Sequence, residues 1–221
     1  VNYTQVALDG PAASGKSTIA ERTAKALGYT FIDTGAMYRA ATLKAMRLGI
    51  DLADEGAFGF LEETTFDFVD GRILMDDEDV SEAVRTTAVS NNVSLVSSHL
   101  LVRTHLVRIQ QEMAKHRNIV MDGRDIGTKV LPDADVKIFL TASIEERARR
   151  RHHDNQNRGI ASDLAALKEE IARRDRFDTT RKHSPLTPAD DAIVLDTSHL
   201  TIDQVVARIT EIIREVEKHG V

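Results

Sequence analysis

The stretch Gly10-Pro11-Ala12-Ala13-Ser14-Gly15-Lys16-Ser17-Thr18 fits the spacing G-x-x-x-x-G-K-[ST], and its fixed positions each have a chemical task. Gly10 and Gly15 let the backbone turn tightly, so that successive N–H groups face a polyphosphate. A helix starting after Gly15 adds the positive end of its dipole, about half an elementary charge. Lys16 is long enough to reach the β- and γ-phosphates, and the Ser17 hydroxyl is a ligand for Mg2+. The alternative is a plain glycine turn with an exposed lysine, and the flanking sequence decides against it. Thr4-Gln5-Val6-Ala7-Leu8 reads as a short apolar strand. After the loop Ile19, Ala20, Thr23, Ala24 and Leu27 recur at helical spacing, and Gly28 is placed to end that helix. Strand, loop and helix are the setting the motif requires, so the chain is expected to bind a nucleoside triphosphate.

Two more polar turns close apolar strands. Tyr29-Thr30-Phe31-Ile32 runs into Asp33-Thr34-Gly35, and Ile119-Val120-Met121 runs into Asp122-Gly123-Arg124-Asp125. Asp122 follows its strand as a Walker B carboxylate does and is a candidate for the Mg2+ shell, directly or at second hand. A capping aspartate in a tight turn is the other reading. Helix periodicity puts Arg39 one turn beyond Ala36, near Asp33-Thr34-Gly35. The pairs Arg124-Asp125 and Asp178…Arg181 alternate carboxylate with guanidinium. Arginine forks grip phosphate oxygens and aspartate accepts from an amine or from ribose hydroxyls, so these pairs suit a phosphorylated ligand with donors of its own. Structural ion pairs are the alternative. Arginines also crowd the C-terminal third, at Arg147, Arg149, Arg150, Arg151, Arg158, Arg173, Arg174, Arg176 and Arg181. They fit either a local anionic ligand or a solvated helix face with pairs such as Glu145–Arg149 and Glu146–Arg150.

No Ser-His-Asp or Glu-His constellation is evident, and transfer onto a phosphate needs none. A phosphomonoester has a second pKa of about 6 and is largely a dianion at neutral pH. Alignment and charge neutralisation are what the reaction requires, from Lys16, Mg2+ and several arginines. The histidines are scattered, and even His152-His153 lacks a third metal ligand at sensible spacing.

The elements that must carry these residues alternate. A helix is expected from about Ala36 to Leu48, then a short acidic helix or loop over 51–63. Phe66-Asp67-Phe68-Val69 and Arg72-Ile73-Leu74-Met75 flank Asp70-Gly71, a strong hairpin signal that interrupts the alternation. An inserted subdomain over roughly 60–95 follows from that interruption. Ser98 is placed to cap a helix reaching about Lys115. Val136-Lys137-Ile138-Phe139-Leu140 is a further strand, and Ser143-Ile144-Glu145-Glu146 forms a capping box opening another helix. His152 to Ser162 is polar, contains Gly159 and resembles a mobile lid. Ala165 to Arg176 reads as helix and Ala192-Ile193-Val194-Leu195 as a last buried strand. Thr201 and Gln204 cap a final amphipathic helix. Buried strands alternating with helices imply an α/β fold, a mostly parallel sheet covered on both faces, with ligands beyond the carboxyl ends of its strands.

The 221 residues suffice for one such domain with insertions, and there is no cysteine, hence no disulfide frame or thiol nucleophile. A net charge of −6 argues against a general nucleic-acid binder. Residues 1–10 read as a strand entering the loop rather than as a leader, and no apolar run approaches about 18 residues, so a cytoplasmic monomer off the membrane is expected.

Taken together, the quoted motifs resemble the bacterial-type cytidylate kinases nearly end to end. The resemblance rests on residues 10–18, Asp33-Thr34-Gly35-Ala36-Met37-Tyr38-Arg39, Met121-Asp122-Gly123-Arg124-Asp125-Ile126-Gly127-Thr128, Pro132-Asp133-Ala134-Asp135-Val136-Lys137-Ile138-Phe139-Leu140 and Arg173-Arg174-Asp175-Arg176-Phe177-Asp178. It implies a P-loop kinase with a five-stranded parallel core, a monophosphate-binding insert carrying the hairpin, and a short lid over roughly 152–164. It implies transfer of the γ-phosphate of ATP to CMP or dCMP, with Mg2+ as cofactor. By the same resemblance Thr34, Arg103 and Asp125 read the cytosine with Ser94 close by. Arg39, Arg124 and Arg181 hold the acceptor phosphate, Asp178 the sugar, and Arg150 and Arg151 approach ATP. Lys16, Arg124 and Arg181 would then serve catalysis. The rival readings are a kinase for UMP or another small acceptor, and a P-loop switch or motor. Against the latter, neither Asn-Lys-x-Asp nor Leu-Ser-Gly-Gly-Gln occurs.

Overall fold

A computed structural model describes residues 3–219 of the chain. Its main sheet is built from five short strands, β1 (Gln5–Asp9), β2 (Thr30–Asp33), β6 (Ile119–Gly123), β7 (Val136–Thr141) and β8 (Ile193–Asp196). Around it stand helices α1 (Lys16–Leu27), α2 (Thr34–Arg47), α4 (Leu100–Ala114), α5 (Ile144–Asn157), α6 (Leu164–Thr180) and α7 (Ile202–His219). Between α2 and α4 lie a 3-10 segment (Glu55–Glu63), a small antiparallel sheet of β3 (Phe66–Val69), β4 (Arg72–Met75) and β5 (Glu78–Asp79), and helix α3 (Thr87–Val96).

The main sheet runs in the order β2-β6-β1-β7-β8 and every neighbouring pair is parallel. Register places Asp33 beside Asp122 and Asp9 beside Gly123. Three strand ends therefore bring their carboxylates and turns to one rim. Strand periodicity sorts the interior into two cores. Val6 and Leu8 of β1 join Ile138 and Leu140 under α1 and α7, while Ala7 faces the other way with Met121 and Ile32, under α2 and α4. Burying each of the larger side chains contributes roughly 1.5–3 kcal/mol at most. The second core continues without a break into the insert through Phe58, Leu61, Phe66, Phe68, Ile73 and Met75. The insert is thus packed onto the body and not tethered beside it.

Several elements match their sequence signals. Asp70 and Gly71 take φ of 49° and 75°, as a two-residue hairpin turn demands. At the start of α7, Thr201 Oγ1 accepts from the Gln204 N–H at 3.2 Å and Gln204 Oε1 from the Thr201 N–H at 2.9 Å, a complete capping box.

Others do not. Ser98 caps nothing: its hydroxyl donates back to the Leu95 carbonyl at 2.6 Å, and His99 stands at the N-cap of α4 without a side-chain capping bond. The box at Ser143 is only half formed. Ser143 Oγ accepts from the Glu146 N–H at 3.1 Å, but the Glu146 carboxylate is drawn to Arg149 and Arg150. The polar stretch from His152, read as a lid, is helix to Asn157, and only residues 158–163 connect α5 to α6. The strand read as buried, β8, is an edge strand with Val194 57 % exposed. Its apolar run resembles that of an interior strand, and only position in the sheet separates the two. Helix α3 and strand β5 carried no signal that was read.

Candidate functional site

The phosphate loop leaves β1 at Gly10, where an added Cβ would stand 2.7 Å from the Leu140 carbonyl oxygen, so no side chain fits. It re-enters regular structure at Gly15, whose φ of 76° lies in the left-handed region. Ala13 also sits there, at φ 58°, an uncommon conformation for a residue with a side chain and one that concentrates at ligand-binding turns. The first helical bond of α1 is from the Ile19 N–H to the Gly15 carbonyl at 3.0 Å, so the N–H groups of Lys16, Ser17 and Thr18 are free of helical partners and point at the loop. Ser14 Oγ is buried with no partner.

Lys16 and Ser17 converge on Asp122. The Ser17 hydroxyl donates to Asp122 Oδ2 at 2.7 Å and the Lys16 ammonium lies 3.4 Å from the same oxygen. Asp122 Oδ1 is buried with no partner, and Asp33 stands next to it across the β2–β6 pair. Burial, then the Asp122 charge, pushes the Asp33 carboxyl up to about 6. Burial pushes the Lys16 ammonium downward, and the nearby Arg124 adds to the effect. Opposed carboxylates and a desolvated lysine beside a nest of N–H groups fit a magnesium polyphosphate.

Just beyond the end of β6, two residues past Asp122, the site changes character. Arg124 Nε donates to Asp178 Oδ2 at 3.0 Å, with Arg174 Nε 3.6 Å and Arg181 Nη1 4.0 Å from the same carboxylate. Arg103 Nη2 donates to Asp125 Oδ2 at 2.5 Å and Nη1 to the Ser97 carbonyl at 3.0 Å. Arg39 Nη1 donates to Ser90 Oγ at 2.8 Å and more weakly to the Val84 carbonyl. Burial pushes Arg39, Arg174 and Arg181 all below the ordinary guanidinium value. Arg103 Nε, Arg174 Nε and Arg181 Nη2 are buried without a hydrogen-bond partner. Such a cluster calls for an anion with further polar edges.

Most residues singled out in the sequence come together here. Thr34 is buried as the first residue of α2, and its hydroxyl donates to the Asp122 carbonyl at 2.6 Å, which ties the two turns together. Ser94 is half-buried on α3, and its carbonyl accepts from the Ser97 hydroxyl. Arg150 is placed differently: its guanidinium is engaged by Glu146, Thr197 and Leu200, holding α5 to the turn after β8. Arg151 is exposed and lies close enough to Arg39 for its charge to act there.

Two supports escaped the sequence reading. Asp9 accepts the Ile126 and Gly127 N–H groups, both at 2.8 Å, and so clamps the turn that follows Asp125. Burial pushes its carboxyl up to about 6 despite those bonds. Arg147, also buried, donates to the Ala12 carbonyl of the loop at 3.1 Å and grips Asp175 of α6 with two bonds. A carboxylate closing an apolar strand just before Gly10 was a visible signal for the first. Nothing in sequence separates Arg147 from its neighbours Arg149 and Arg150.

A family model described as cytidylate kinase matches residues 6–215. The chain is 52 % identical over 215 residues to a cytidylate kinase of Geobacillus kaustophilus, covering 95 % of this chain and 96 % of that protein. It is 53 % identical to one from Anoxybacillus flavithermus, again covering 95 % and 96 %. Among solved structures a gluconokinase from Sinorhizobium meliloti aligns at a TM-score of 0.50 and 16 % identity, covering 98 % of this chain and 94 % of that one, a likeness of fold. The matched range takes in the phosphate loop, the Asp33 and Asp122 turns and α6, and on it this chain belongs to the cytidylate kinase family.

Proposed function

We propose that this chain transfers the γ-phosphate of ATP to CMP or dCMP, giving ADP and the corresponding diphosphate. The observation that carries the reading is the end of β6, where Asp122 serves the triphosphate loop while Arg124 and Asp125 serve a second pocket. A donor and an acceptor phosphate bound there are held within reach of each other, and the alignment supplies much of the rate. A switch or motor would have no use for the second pocket.

In this reading the loop from Gly10 through Pro11, Ala12, Ala13, Ser14 and Gly15 to Lys16, Ser17 and Thr18 cradles the ATP phosphates. Lys16 neutralises charge on the transferred group. Arg39, Arg124 and Arg181 hold the acceptor phosphate, joined by Arg174, and Asp178 accepts from the sugar. Asp125 and Arg103 read the cytosine edge from their paired geometry, with Thr34 and Ser94 beside them. Arg151, not Arg150, is the residue of that pair free to move toward phosphate. The unpartnered Asp122 Oδ1, with Ser17 and Asp33 adjacent, suits Mg2+ held by few protein groups and by substrate phosphates. Bound there, the ion would supply Lewis-acid neutralisation of the phosphate oxygens. The segment over about 60–95 acts as the monophosphate-binding insert, and the ends of α5 and α6 around 152–164 as the lid. Both halves of the site come from one chain, which supports action as a monomer. No helix among the described residues is long and apolar enough to cross a membrane, and we take the cytoplasm, where ATP and CMP are present, as its place of action.

The test is ADP formation from ATP with CMP, dCMP, UMP, AMP or no acceptor. CMP and dCMP are expected to be preferred. Preference for UMP or AMP overturns the acceptor assignment, and acceptor-independent turnover overturns the kinase.

A further inference from the structure

Tyr38 lies on α2 one helical turn after Thr34 and one residue before Arg39, so it shares a face with the first and borders the second. It is 7 % exposed, yet its hydroxyl has no hydrogen-bond partner. A buried phenol oxygen normally finds one, because an unmade bond costs the desolvation of the group. The ring is used: the Arg103 guanidinium carbon lies 5.1 Å from its centroid, within cation–π range, while that same guanidinium holds Asp125. The hydroxyl lies where the charges of Arg103, Asp125 and Arg181 all act on its proton. Arg103 Nε and Arg181 Nη2 share its condition of burial without a partner. Unpartnered polar atoms from α2, α4 and the segment after α6 therefore belong to side chains whose charges act on one another around Asp125.

We propose that Tyr38 contacts the acceptor nucleotide, its hydroxyl donating a hydrogen bond to the bound pyrimidine monophosphate while its ring holds Arg103 in the plane that serves Asp125. This rests on the reading that CMP occupies the pocket. Burial, the largest influence on the phenol, raises its pKa above the ordinary tyrosine value and keeps the proton on the oxygen. The group is therefore a donor at neutral pH. A pyrimidine monophosphate offers ring carbonyl, sugar and phosphate acceptors, and has no shortage of partners for such a donor. The arrangement has a signed consequence for the free protein. A hydroxyl that waits for ligand destabilises the fold on its own and strengthens binding, so removing it should move stability and affinity in opposite directions.

Tyr38→Phe tests this directly. KM for CMP, measured by ADP formation, is expected to rise about 3- to 10-fold, the range of one neutral hydrogen bond, with KM for ATP unchanged. The melting temperature of the free variant should equal or exceed that of the wild type. Tyr38→Leu removes the ring as well, and the preference for CMP over UMP should fall because Arg103 loses its platform. A wild-type KM for CMP in Tyr38→Phe overturns the inference. So does a lowered melting temperature with equal losses for CMP and ATP, which would mean that the hydroxyl serves the fold. A wild-type enzyme that ignores CMP overturns the functional reading and this inference together, whereas an active wild type with an unaffected variant overturns this inference alone.

Discussion

The donor and acceptor halves of the site hold phosphate with different materials. On the donor side the loop backbone does most of the holding, within one strand–turn–helix, and Lys16 and Ser17 converge on Asp122. On the acceptor side α2, α4, the end of β6 and α6 with the turn after it each lend an arginine or aspartate, and in the free protein these are paired with one another, except Arg39, which is held by Ser90. A backbone nest gives up no side-chain partner when its ligand binds. The acceptor residues must trade existing partners for substrate, so their binding strength is a difference between two sets of bonds, and differences discriminate. Generic affinity belongs to the first kind of construction and selectivity to the second.

Breaking the donor side should cost the most. Lys16→Ala is expected to lower kcat about 10²- to 10³-fold with every acceptor, since charge neutralisation at the transferred group is lost whatever receives it. A loss confined to CMP would erase the division between the halves. Asp125→Ala should leave more of the rate and lower the ratio of kcat/KM for CMP over UMP by about 10- to 100-fold. Equal shifts for the two nucleotides would show that Asp125 balances charge instead of reading the base. The smallest expected effect concerns the strut between the halves. Asp9 ionises at about 6 in the fold against 3.8 ordinarily, so the unfolded chain gives up its proton first. Stability should therefore fall as pH rises from about 4 to about 6 and level off above, by on the order of 2 kcal/mol. Urea midpoints of wild type and Asp9→Asn across pH 4–7 check this, and a difference that does not vary in that window would show Asp9 ionising normally.

The same contrast decides what could be read before folding. Local physics fixed the phosphate loop, the Asp70-Gly71 hairpin and the Thr201 cap, and all three are found where their residues predict. Ser98 has a capping hydroxyl like Thr201 but no glutamine three residues on to complete a box, and it closes a turn just after α3, whose end claims it. The polar run from His152 carries no apolar stripe, yet it extends α5 because nothing in it breaks a helix before Gly159. The arginines illustrate the limit best. Arg147, Arg149 and Arg150 are alike in sequence. One is buried against Ala12 and Asp175, one is a surface pair with Glu146, and one is bound to the turn at Thr197. Helical phase, not residue type, separates them, and the phase matters only once α6 and β8 are in place.

Helices α5 and α6 share a small core of their own, Ala148, Leu167 and Ile171, apart from the two large ones, and Ala13 of the phosphate loop packs against it. A hairpin seated on so little apolar surface can open without exposing the interior. Its amides should exchange with solvent through a partial opening, while those of β1 and β6 wait for global unfolding. Because its seat includes the strained Ala13 and its tether is the Arg147 bond to Ala12, every such opening also loosens the loop. Bound triphosphate would then slow exchange in α5 and α6, elements that lie outside the motif by which the loop is recognised.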